Sequence, residues 1–188
     1  MKKRIAYLIL VFAVIFIFFI LQKPFFMLYN DAPGRLVPFS SYLQVMFHGM
    51  SLDAATTGYL TAIPWLTILI SIWFKKFPLR QLLVGYYAIV CLLISLIFVG
   101  DMCLYPFWNF KLDASVFLYL DSPKNAMASV STGFIILRIL VILLLSGFVT
   151  WILYRITPRY LPPATEKQLV HLPQFCWEEY FLSSYVEE

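Results

Sequence analysis

Apolar and polar positions along this chain fall into long blocks rather than into alternation. From Ile5 to Leu21 no residue is charged, and every side chain is β-branched, aromatic, Leu or Ala. Three further blocks run from about Ala54 to Phe74, Leu82 to Gly100 and Phe134 to Tyr154. Blocks of that length predict transmembrane helices, because about 20 apolar residues are needed to cross a hydrocarbon core of about 30 Å. The first block has 17 residues, which reach only roughly 26 Å as a helix. Phe25 and Phe26 extend it if Lys23 snorkels to the headgroups. Phe39 to Met50 is mostly aromatic and aliphatic, with His48 alone ionisable. It is too short to span, so it predicts a re-entrant or interfacial helix. The pattern therefore predicts an all-α, polytopic membrane helical bundle: four transmembrane helices with interfacial helical segments in the outer loops.

Composition agrees. The 188 residues are 62% hydrophobic and 13% charged, against about 45–50% and about 25% for a soluble globular domain. A water-soluble fold of this size cannot hide that much apolar surface, and disorder requires the opposite balance. Three cysteines are too sparse for a disulfide scaffold. Lys2, Lys3 and Arg4 ahead of the first block also suit a signal peptide. Against cleavage, the block is longer than a usual apolar core, and Gln22-Lys23-Pro24-Phe25-Phe26 offers no small-x-small site, so a retained anchor is the reading.

The net charge of +4 is explained by topology. With the N-terminus inside, Lys2, Lys3, Arg4, Lys75, Lys76, Arg80, Arg155, Arg159 and Lys167 lie on the cytoplasmic side. Lys23, Arg35, Lys111 and Lys124 lie outside, and Arg138 falls within the fourth span. Nine against four obeys the positive-inside rule and predicts both termini inside. Membrane lipids then account for the basic clusters, and no nucleic-acid partner is needed. Residues 1–155 read as the transmembrane domain. Residues 156–188, broken by Pro158, Pro162, Pro163 and Pro173, read as a cytoplasmic tail.

Searches for chemistry return little. There is no phosphate-cradling glycine loop and no Gly-x-Ser-x-Gly elbow. Cys91, Cys103 and Cys176 form no Cys-x-x-Cys pair, and His48 and His171 fall on opposite sides of the predicted membrane. No catalytic residue, metal ligand or cofactor is assigned in this chain. Ionisable residues at span edges are the positive candidates, because a charge in a bilayer is costly and usually partnered. Asp101 closes the third span and Arg138 lies about one turn inside the fourth, so the two either pair or snorkel separately. Asp53, close to His48, either N-caps the second span or contacts a headgroup or substrate. A small transporter is disfavoured, since no span carries a midplane charge and Pro64 alone interrupts a span interior.

Phe47-His48-Gly49-Met50-Ser51-Leu52-Asp53, followed by Leu60-Thr61-Ala62-Ile63-Pro64, resembles the membrane domain of the lipoteichoic acid synthase-like family, within the sulfatase/alkaline phosphatase superfamily. That domain commonly shows a Gly-x-x-x-Asp step before the second span and an Asp at the end of the third. An aromatic and an Arg/Lys-x-x-Asp-like stretch follow; Asp101, Tyr105, Phe107, Trp108, Lys111 and Asp113 stand in those places. The resemblance covers roughly residues 1 to 155. It implies a membrane bundle, usually of five spans, joined to an extracytoplasmic sulfatase-like domain. Such a domain uses a divalent metal and a Thr or Ser nucleophile to transfer phosphoglycerol or phosphoethanolamine, or to hydrolyse sulfate or phosphate esters. This sequence has four spans and no such domain, so no nucleophile or metal ligand carries over, and a truncated gene product is one reading. The expectation is a lipid-facing anchor in the bacterial cytoplasmic membrane, with a sulfatase-like catalytic domain as partner. Asp53, Asp101, Trp108, Lys111, Asp113 and Arg138 are its expected lipid or headgroup contacts. The alternative is a small non-enzymatic membrane protein acting as scaffold or partner subunit.

Overall fold

The computed structural model describes residues 2–30, 38–73, 78–108, 111 and 131–158. Among these described residues five helices follow in order: α1 (Lys2–Asn30), α2 (Phe39–His48), α3 (Met50–Trp73), α4 (Leu79–Trp108) and α5 (Thr132–Ile156). No strand occurs among the described residues. All helices but α2 are long and apolar enough to cross a membrane.

The helices outrun the apolar blocks that announced them. α1 continues past Lys23 and Pro24 to Asn30, and α4 continues past Asp101 and Pro106 to Trp108. Pro64 is therefore not the only proline within a helix, and Asp101 does not close one. Hydropathy stops at the first charge, whereas backbone hydrogen bonding stops only where its geometry fails. Prolines are tolerated in such helices when neighbouring groups satisfy the carbonyls they free. At 29 residues, α1 extends about 43 Å and reaches beyond the hydrocarbon core.

Burial on α4 recurs at every fourth residue: Leu79, Leu83, Tyr87, Cys91, Ser95 and Val99. That row is an i±4 ridge, the surface feature that packs into the grooves of neighbouring helices. Tyr7, Val11 and Ile15 form the matching row on α1. α3 instead buries small and polar residues, among them Thr57, Pro64, Thr67 and Ser71. Their hydroxyls are satisfied within the helix, Thr57 donating to Asp53 O at 2.7 Å and Thr67 to Ile63 O at 2.8 Å. Small side chains allow close backbone approach where lipid supplies no hydrophobic driving force.

The closest pairings are α4 with α5 and α1 with α3, and α1 also touches the other pair. At the end holding the chain's N-terminus, here the near end, the Tyr7 hydroxyl lies 2.7 Å from that of Tyr87 and 3.2 Å from Thr157 Oγ1. The far end carries Lys23, Asp53, Tyr105 and Arg138. Only 11% of the apolar window of α5 is buried, against 33% for α4, so α5 lies at the periphery. Ile136, Leu140, Leu144 and Phe148 stand exposed along it. Continuous apolar surface of this kind is intolerable in water; the chain is a multi-pass membrane protein. α2 buries none of its residues.

Candidate functional site

Between the two helix pairs, toward the far end, a cavity of about 500 Å³ opens. α1 contributes Phe19, Gln22, Lys23 and Phe26, and α3 contributes Leu52, Asp53, Thr56 and Leu60. The wall from α4 is Val90, Leu93, Ile94, Ile97, Phe98 and Asp101, with Lys111 at the rim. Each set follows the three- and four-residue spacing of one helix face. Phe19, Leu60 and Val90 are the deepest positions on their helices, because α3 runs antiparallel to α1 and α4. All four ionisable side chains, Lys23, Asp53, Asp101 and Lys111, gather at the far end of an otherwise apolar chamber.

Asp53 sits in the first turn of α3, with its backbone N–H donating to Gly49 O at 3.0 Å. It is thus inside the helix rather than its N-cap, and its carboxylate accepts from Lys23 Nζ across the α1–α3 contact. Lys23 does not simply snorkel. Both side chains are largely buried (17% and 11% exposed), and pairing lowers the cost of either charge at that depth.

Gly49 has a physical reason to be glycine. A Cβ added there would collide with the Lys23 Nζ and Cε atoms, so the lysine reaches Asp53 across the bare Gly49 backbone. Its φ of −85° is open to any residue, so room, not conformation, is what it supplies. His48 turns away, its Nδ1 lying 2.9 Å from Gln44 O. Lys111 Nζ stands 4.7 Å from the centre of the Phe26 ring, whose edge also meets Tyr105. The Gln22 amide nitrogen is buried without an acceptor. An unmet buried donor costs roughly 1–3 kcal/mol, which a ligand oxygen would offset.

Of the six residues singled out from sequence, Asp53, Asp101 and Lys111 meet at this chamber. Arg138 does not line it. Its Nη2 donates to the Tyr29 hydroxyl, and its guanidinium lies 5.1 Å and 4.6 Å from the Tyr29 and Phe134 ring centres. Trp108 ends α4, but its side chain lies outside the described residues, as do Asp113 and the tail from Arg159 onward. Sequence reasoning missed Lys23 and Gln22 as site residues. The available signal was the i, i+3, i+4, i+7 spacing of Phe19, Gln22, Lys23 and Phe26.

A second groove of about 480 Å³ between α4 and α5 has no ionisable lining except Tyr154, over which Arg80 lies at 4.1 Å. Among the described residues no cluster of His, Cys, Asp and Glu is arranged to hold a metal. The charged chamber is the candidate site. No protein-family model, curated protein or solved structure matches the chain.

Proposed function

We propose that this protein is the membrane-anchoring, lipid-facing module of a sulfatase-like phosphoglycerol or phosphoethanolamine transferase or hydrolase, and that its chamber holds the lipid. The observation that carries the reading is the chamber itself, apolar along its length and charged at one end. Asp53, Asp101 and Lys111, noted in sequence for their resemblance to that family, line it. A ligand pocket is typically apolar with a few converging polar groups, and here the division matches a phospholipid's tail and headgroup. Chemistry on the headgroup belongs to a catalytic unit acting from the far side, which the positive-inside rule makes the extracytoplasmic face.

The test is photo-crosslinking in nanodiscs with phosphatidylglycerol or phosphatidylethanolamine carrying a diazirine in one acyl chain. Labelling concentrated on the chamber faces of α1, α3 and α4, and competed by excess unlabelled lipid, is the expected result. Labelling that instead follows bulk exposure, with the outer face of α5 marked as heavily as Leu93 and Ile94, overturns the reading and favours the scaffold alternative.

A further inference from the structure

Just below the chamber, α3 carries Pro64. A helical proline has no N–H for the carbonyl four residues earlier, so Pro64 leaves Leu60 O without its intrahelical donor. The Tyr86 hydroxyl of α4 fills that vacancy, donating to Leu60 O at 2.8 Å. Leu60 is the deepest chamber residue on α3, and Tyr86 sits one turn below Val90, the deepest on α4. The bond therefore fastens α3 to α4 at the level where the chamber stops.

Depth then becomes a measurable property. Val90 to Asp101 spans eleven residues, or about 16 Å of helix. Half a hydrocarbon core is about 15 Å. Measured along α4, the chamber is thus about as long as one leaflet is thick, the length of a single acyl chain.

Resting on the lipid-binding reading above, we infer that the chamber takes a single acyl chain of one phospholipid, and that Tyr86 sets the chain length it accepts. A chain shorter than the chamber leaves its floor unfilled and forfeits contacts. A longer one must bend back toward the lateral opening. A groove with a fixed end discriminates by chain length, because an unfilled end loses its contacts, whereas a bilayer does not.

The test is native mass spectrometry of the full chain in detergent with phosphatidylglycerols from dilauroyl to distearoyl, comparing wild type with Tyr86→Ala and Val90→Phe. Wild type should show an affinity maximum within the series. Tyr86→Ala, which opens the next turn, should move the maximum to longer chains, by up to about 5 Å of added depth. Val90→Phe raises the floor and should move it to shorter ones, which keeps the test decisive if Tyr86→Ala does not fold. Saturable wild-type binding with the same maximum in every folded variant overturns the inference about Tyr86 and leaves the lipid site standing. Absence of saturable binding at any chain length overturns the site itself.

Discussion

Lys23, Gly49 and Asp53 form a unit in which each residue explains another. The lysine needs a partner at its depth, the aspartate supplies it, and the glycine leaves the path open. Breaking a buried pair on one side strands a charge and costs roughly 3–5 kcal/mol. Lys23→Met and Asp53→Asn should each approach that loss in an unfolding titration, and the double variant should lose less than the sum. Strict additivity would mean that the pair carries no coupling. Gly49→Val should cost less than either single variant, because the Lys23 tip that it meets is the flexible end of a side chain and both charges remain.

A second residue-scale expectation concerns the near end. Tyr7→Phe leaves the Tyr87 hydroxyl buried and alone, whereas Tyr87→Phe leaves Tyr7 its bond to Thr157. Tyr7→Phe should therefore be the more destabilising, by about 1 kcal/mol; the reverse order would contradict the network. Sequence marks Asp53, Asp101 and Lys111 because isolated charges stand out against apolar blocks. It misassigns Lys23 because a lysine near a helix end can always snorkel. Only the packing of α1 on α3 shows that it does not.

At the scale of elements, the number and order of the spanning helices among the described residues were legible, since four long apolar blocks admit one simple reading. Their ends were not. The additional turns of α1 and α4 contain a charge and a proline each, which hydropathy counts as a stop and the backbone does not. The α3–α4 fastening was equally hidden. Pro64 was visible as an interruption, but that Tyr86 answers it depends on how the two helices are juxtaposed. Pro64→Ala restores an N–H to Leu60 O. Tyr86→Phe should therefore cost about 1 kcal/mol in the natural background and close to nothing when combined with Pro64→Ala. An undiminished cost in the combined variant would show that the tyrosine acts through packing alone.

For the whole molecule, two helix pairs in imperfect contact leave a chamber where a tight bundle would leave none, and α5 shows most of its surface to lipid. Single-cysteine labelling from either side of the membrane, after Cys91, Cys103 and Cys176 are replaced, should place residue 2 and residue 78 on the cytoplasmic side. Residues 38 and 131 should label from the other. The most direct measurement of the central claim is the lipid retained per chain after purification. It is read by native mass spectrometry for wild type, Ile94→Trp, which fills the chamber, and Leu144→Trp, which adds bulk to the exposed face of α5. One firmly held phospholipid in wild type and Leu144→Trp, lost in a folded Ile94→Trp, is the predicted result. Equal lipid retention in all three would contradict the account.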